Sequence, residues 1–286
     1  MAKARSSQKI KSREKILDYI LVVVFIGVVV ITLYPFLNVL AISFNDPIDT
    51  MRNINFIIPR EFTLSNYTYV FTENNLAGPF LMSVARTLIG TLVSVFSTAM
   101  IAYVLSRFKF KGNGLIRSLF LFASLLPGIA MQVSVYQIMY TIGWINFLPG
   151  YIVMMCGTDI ISIYIFIQFF ENISIALDES AIMDGCTYFG VFFRILFPLL
   201  KPAIITVMIL KGVGVYNEYY NANLYLQDKN HLVTVATSLF KFTGPLGNQY
   251  NYICAGVIIT MLPALIVFIL CQKQIYSGLT QGAVKG

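Results

Sequence analysis

Charge is what this sequence of 286 residues has least of: Asp, Glu, Lys and Arg make up 12% of it, against about 25% in an ordinary soluble domain. Its one histidine, His231, rules out a two-histidine zinc helix, and no G-x-x-x-x-G-K-[ST] run is present to cradle nucleotide phosphates. The four cysteines, Cys156, Cys186, Cys254 and Cys271, lie in or beside apolar segments without close spacing, so they suggest neither a disulfide frame nor a metal site. No catalytic site, metal or cofactor is expected in this chain. The net charge of +7 is split among separate short segments, which argues against a nucleic-acid-binding face. No inverted internal repeat of the kind many secondary carriers show is legible.

What the sequence has is apolar length. Hydrophobic residues make up 57% of it and the mean hydropathy is +0.75, values that make a lipid bilayer the expected solvent. Six segments, Ile16 to Ala41, Phe80 to Leu105, Leu115 to Thr141, Leu148 to Phe170, Pro198 to Tyr220 and Tyr252 to Cys271, have the length of roughly 20 residues or more needed to cross a hydrocarbon core. Pro127, Gly128 and Gln132 interrupt the third, and a kink is expected there. The first run is too long for a signal-peptide core and lacks a small-residue cleavage site before Asn45. The expected fold is all-α and polytopic, with a tail over residues 1–15, six spans within 16–272 and a second tail over 273–286.

Lys and Arg set the orientation. Lys3, Arg5, Lys9, Lys11, Arg13 and Lys15 fill the first tail; Arg107, Lys109, Lys111 and Arg117 follow the second span without an acid; Lys273 and Lys285 lie in the last tail. The opposite loops mix signs, so both termini are expected in the cytoplasm. This leaves three classes: a channel, a secondary carrier, or the membrane part of a pump driven by another protein.

The stretch ALDESAIMDGCTYFGVFFRILFPLLKPA, Ala176 to Ala203, falls on the cytoplasmic side. It is expected to form a short amphipathic helix within 178–193, followed by a second turn and then a proline that starts the fifth span. Gly185 in a helix interior costs about 1 kcal/mol relative to Ala, which suggests a bend or the close approach of another surface. Surface-lying membrane helices favour Lys and Arg on their polar face, whereas this one leads with Asp178, Glu179 and Asp184, so docking to a protein is preferred over lying on headgroups.

The same residues carry a resemblance. Glu179, Ser180, Ala181, Asp184 and Gly185, then nine residues, then Ile195, Phe197 and Pro198, resemble the E-A-A-x3-G-x9-I-x-L-P signature of ABC importer permeases, with Ser180 and Phe197 as departures. Ala102, Tyr103, Leu105, Ser106, Arg107, Phe110 and Gly112 resemble the run ending the second span in carbohydrate importers. Phe62, Thr63, Leu64, Asn66 and Tyr67 resemble their outer loop, and Tyr216 to Tyr219 their W-N-E-F segment. The tail Gly278, Leu279, Thr280, Gln281, Gly282, Ala283, Val284, Lys285 and Gly286 is similar to that of MalG-type permeases. The resemblance implies a type I importer permease in a bacterial cytoplasmic membrane, carrying carbohydrate, with oligosaccharides as the subgroup it suggests. It also implies a second, MalF-like permease, two separate ATP-binding subunits and an extracytoplasmic substrate-binding protein. Asp178, Glu179, Ser180, Ala181, Asp184, Gly185, Ile195 and Pro198 would couple to the ATPase, with Gly278, Leu279, Thr280, Gly282 and Lys285 as a second contact. A permease for an amino acid or polyamine, and a carrier working alone, are the alternatives.

Ionisable groups inside spans are functional candidates. Asp159 and Lys211 fall about 17 Å and 20 Å along their spans; they either pair with each other or offer hydrogen bonds to substrate. Tyr216, Asn217, Glu218 and Tyr220 suit a sugar, and equally an interfacial aromatic belt. Arg86 lies only about 8 Å into the second span and is expected to snorkel outward without a role. Residues 278–286, with Gly278, Gly282 and Gly286 among them, are expected to form no stable helix alone.

Overall fold

In the computed structural model the backbone is described for residues 2–72, 75–228, 231–244 and 247–283, and side chains from residue 18 to 273 within those stretches. In chain order the helices are α1 (Ala2–Ser43), α2 (Pro47–Arg52), α3 (Ser65–Thr72), α4 (Ala77–Arg107), α5 (Asn113–Ser124), α6 (Gly128–Thr141), α7 (Leu148–Met155), α8 (Ile160–Glu171), α9 (Ile175–Met183) and α10 (Tyr188–Val191). A π-turn over Phe192–Leu196 leads into α11 (Phe197–Leu199), α12 (Lys201–Asn217), α13 (Tyr220–Tyr225), α14 (Val235–Ser238) and α15 (Tyr250–Ala283). Two short antiparallel strands, β1 (Thr243–Gly244) and β2 (Gly247–Asn248), precede α15.

Among the described residues four helical stretches are long and apolar enough to cross a membrane: Asp18–Ser43, Ala77–Arg107, Leu148–Glu171 and Tyr250–Lys273. Two further pairs qualify only as bent units, α5 with α6 at 101° and Tyr188–Leu199 with α12 at 78°. The kink expected at Pro127 is therefore a right-angle turn. Proline has no N–H to continue a helix, and Pro127 takes an extended ψ of 118° after α5 has ended. The fifth span also differs from expectation, since its straight helix begins at Lys201 with Pro202 in the first turn, while Pro198 lies in α11.

The chain divides into two compact units. Residues 1–75 and 239–259 form the first. Side chains 18–37 of α1 are exposed throughout, and buried packing begins beyond them, around an asparagine cluster. The Asn45 carboxamide oxygen accepts the Arg60 and Glu61 amides at 2.8 and 3.2 Å; fully buried Asn66 donates to the Ser43 and Asn45 carbonyls at 3.0 and 2.8 Å and accepts from Asn251 at 2.9 Å. Asn66 is the amide of the outer-loop motif, and it serves to fix irregular backbone.

Residues 76–238 and 260–286 form the second unit. Its axis is α4, whose buried Gly90, Ser94, Thr98, Ala99 and Ala102 form a run of small residues. Small residues let helices approach closely where lipid supplies no hydrophobic drive: a Cβ on Gly90 would lie 3.1 Å from the Met155 Cβ. Below this run the core is aromatic, with Phe166, Phe170 and Phe192 fully buried beside Leu196 and Leu200.

Arg86 corrects the snorkelling expectation. It is 1% exposed, donates to the Tyr151 hydroxyl at 2.9 Å and to the Val215 carbonyl at 3.2 Å, and sits 5.6 Å from the centre of the Tyr151 ring. The acceptors explain the inward turn: the Val215 carbonyl lies in the last turn of α12, where helix carbonyls have no partner of their own. The C-terminal expectation also changes. The backbone of α15 remains helical to Ala283, because extending an existing helix avoids the costly nucleation step that a free tail would need. Residues 284–286, Lys285 among them, lie outside the described residues, as do the side chains of 274–283.

Arg86→Met is expected to lower the unfolding temperature of the detergent-purified protein, losing about 1.5–3 kcal/mol for each hydrogen bond to the guanidinium. Arg86→Lys should recover little, since one ammonium cannot reproduce the planar fork. An unchanged melting curve for Arg86→Met would show that the buried charge stabilises nothing.

Candidate functional site

Two places in the second unit combine polar chemistry with irregular backbone. The first is the segment 174–198. Ser174 caps α9 by accepting the Ala176 amide at 3.3 Å, and Thr187 caps α10 by accepting the Gly190 amide at 3.2 Å. Between them the chain turns through Gly185, whose φ is +84°. The Gly185 amide reaches the Ile182 carbonyl at 3.0 Å and the Cys186 amide the Ala181 carbonyl at 2.9 Å, the paired bonds of a helix ending in a left-handed residue. Two short helices, α9 and α10, therefore stand where a short helix and a second turn were expected within 178–193. The open side of Gly185 has no atom of this chain within 4 Å of where a Cβ would stand. The turn, and no crowding within the chain, is what calls for glycine.

This elbow sorts the expected coupling residues. Glu179, Ser180, Asp184 and Gly185 are exposed, and Met183 and Phe189 project with 86% and 65% exposure. Ala181 is buried, Ile195 packs partly buried against the core, and Pro198 is exposed. Asp178 turns inward, so it belongs to the interior face of the segment and not to its exposed face. Its Oδ2 lies 3.0 Å from Arg107 Nε, with both side chains at or below 10% exposure. Arg107 also donates to the Ile173 carbonyl at 2.9 Å and lies 5.9 Å from the Phe170 ring centre. The other carboxylate oxygen, Oδ1, is buried without a hydrogen-bond partner. Burial pushes the Asp178 carboxyl above the usual carboxylate range, and the Arg107 charge opposes that shift. Farther along, the Tyr103 hydroxyl donates to the Tyr188 carbonyl at 3.3 Å. The end of α4 thus holds the segment on both sides of its elbow.

The second place is a break in the fourth span. The sequence implies a continuous helix through Asp159; instead α7 ends at Met155 and α8 begins at Ile160. Asp159 is the N-cap of α8, its Oδ2 accepting the Ser162 amide at 2.9 Å and hydroxyl at 2.6 Å. The Gly157 carbonyl accepts the Ser94 hydroxyl at 2.8 Å and the Lys211 ammonium at 3.3 Å. Among the described residues no carboxylate lies within 4.0 Å of Lys211, so the Asp159–Lys211 ion pair is not formed. Gly157 and Thr158 are exposed.

The cluster expected after α12 does not converge. Tyr216 is buried, donates to the Thr260 carbonyl at 2.9 Å, and borders an apolar cavity of about 360 Å³ with Met208, Gly212 and Pro263. Glu218 instead accepts the Asn221 amide at 2.8 Å and its side-chain nitrogen at 2.9 Å. Gln132 completes that network, donating to Asn221 Oδ1 and the Tyr225 hydroxyl, both at 2.8 Å. Asn217 and Tyr220 are exposed. Sequence reasoning missed Asn221 and Tyr225, and noted Gln132 only as an interruption. Three amide or acid residues close to Pro127 and the end of α12 were the available signal.

Residues 90–280 match the family described as binding-protein-dependent transport system inner membrane component. The arabinooligosaccharides transport system permease protein AraQ of Halalkalibacterium halodurans is 30% identical over 274 residues, covering 95% of this chain and 98% of that one. Protein LplC of Bacillus subtilis is 32% identical, covering 91% and 92%; the trehalose/maltose transport system permease protein MalG of Thermococcus litoralis is 29% identical, covering 96% and 99%. The fold matches a chain in the crystal structure of a bacterial ABC transporter involved in the import of the acidic polysaccharide alginate, with a TM-score of 0.81 at 20% identity over 91% of this chain and 96% of that one. The chain belongs to the inner membrane components of binding-protein-dependent transport systems.

Proposed function

We propose that the chain is one of two permease subunits in an ATP-driven importer of oligosaccharides in a bacterial cytoplasmic membrane. The observation that carries the reading is the elbow at Gly185: a cytoplasm-side projection with exposed Met183, Phe189, Glu179 and Asp184, anchored from behind by Arg107. An exposed apolar tip rimmed by acids suits insertion into a groove of a partner protein. In this reading each bent pair is one span, giving six, with both termini cytoplasmic. Two ATP-binding subunits dock at residues 178–193 and along residues 278–286; a second permease completes the pathway and a binding protein delivers the sugar from outside. The carbohydrate assignment draws on the substrates named for the relatives, arabinooligosaccharides and trehalose/maltose.

The mechanism follows from the anchoring. Closure of the ATPase subunits on ATP displaces the docked tip. Because Asp178 and Ile173 are held by Arg107 and Tyr188 by Tyr103, the tip cannot move without the end of α4. That helix carries the packed face against α7, α8 and α12, so the displacement reaches the broken span. Direction arises because the pathway has different affinity for sugar in its two states.

Stimulation of ATP hydrolysis in the reconstituted complex by a panel of oligosaccharide-loaded binding proteins tests the assignment, and stimulation by none of them would overturn it. Gly185→Val is expected to abolish transport and loosen ATPase association, since a β-branched residue strains at positive φ. Gly185→Asn should retain most of both, because asparagine adopts that conformation readily; equal failure of the two would place the requirement in the partner's groove. Asp178→Ala leaves a buried guanidinium unpaired and is expected to cost about 3–5 kcal/mol. Replacing Asp178 by Leu and Arg107 by Met together should recover folding, measured by melting temperature, while ATP hydrolysis per sugar imported rises.

A further inference from the structure

We propose that Lys211, at the break in the fourth span, is a station for a carboxylate of the transported sugar, so that the imported oligosaccharides include acidic ones built from uronic acids. This rests on the oligosaccharide reading above.

The break itself points to an aqueous face. Backbone outside a helix is tolerated at membrane depth only where protein buries it or where it borders a water-filled path, and Gly157 and Thr158 are exposed. Lys211, ten residues into α12 and half-buried, stands against this break.

The charge at Lys211 has no local use that would account for it. Its one hydrogen bond among the described residues is to the Gly157 carbonyl at 3.3 Å, and Ser94 already supplies that carbonyl with a shorter bond of 2.8 Å. No acid among the described residues lies within 4.0 Å. Asp159, the nearest acid along the fourth span, is engaged through Oδ2 by the Ser162 amide and hydroxyl at the N-terminal end of α8, where the helix favours negative charge. The end of α7 offers the ammonium a partial negative charge and no more. An ammonium has three donors, so two N–H groups point away from Gly157. Neutral sugar hydroxyls could be bound by serine or asparagine without placing a cation in the span. A carboxylate needs the cation, because a charge-assisted hydrogen bond is about twice as strong as a neutral one.

The test uses the complete importer in proteoliposomes, with two probes: a digalacturonide and its carboxyl-reduced, neutral counterpart of the same linkage. The wild type is expected to import the digalacturonide in preference. Lys211→Met should lower the ratio of acidic to neutral import about tenfold or more, and Lys211→Arg should preserve most of that ratio. Equal loss of both probes in Lys211→Met, an unchanged ratio, or a wild type that moves only the neutral probe would overturn the proposal. Failure of the wild type to import either probe or any other saccharide would instead overturn the oligosaccharide reading.

Discussion

A bilayer offers no donors, so each carbonyl left over where a helix stops must find one inside the protein. In the larger unit three arginines meet this need, and the Ser94 hydroxyl meets it at Gly157 after α7. Arg86 donates to Val215 in the last turn of α12, Arg107 to Ile173 after α8, and Arg117 to Leu105 near the end of α4 at 2.7 Å. The first two of these bonds join residues 129 and 66 apart in sequence. A chain so poor in charge thus spends three of its cations on the ends of its own helices, and irregular backbone beside α4, α8 and α12 is held in this way.

The three bonds differ in what stands behind them. Arg86, on α4, is sealed against Tyr151 of α7 and the end of α12 and has no acid partner within 4.0 Å among the described residues. Arg107 has Asp178, and this is what turns a helix-end contact into a mechanical joint: a buried pair broken on one side leaves a charge without compensation, so the two elements separate only at high cost. The elbow that follows is made by backbone conformation alone, with the left-handed Gly185 directing α9 and α10 apart. Stiffness and shape are therefore supplied by different residues of the same short segment.

The spacing in Ala176 to Ala203 was informative because it encodes backbone events a few residues apart: Gly185 as a left-handed terminus, Pro198 before α12 and Pro202 in its first turn. The long apolar runs were equally legible, since length and hydropathy are local properties. The break at 156–159 was not read, although Asp159 followed by Ser162 and an apolar run is the pattern of an N-cap; the hydropathy of the whole stretch masks it. Arg86 could not be read at all. Its burial depends on Tyr151 and Val215, which lie 65 and 129 residues away, and depth along one helix says nothing about such partners. Tyr216 and Glu218 show the same limit: adjacent in a motif, they face different surroundings because α12 ends between them.

A passage wide enough for a sugar is also wide enough for sodium ions and for a wire of water able to conduct protons. Steric closure cannot exclude them while the sugar is passing. On the path proposed above, the ammonium of Lys211, beside the exposed backbone of the broken span, would place a fixed positive potential, and a cation approaching it would meet repulsion that a neutral or anionic solute does not. The same side chain that marks the path would thereby keep each turnover from draining the membrane's ion gradients.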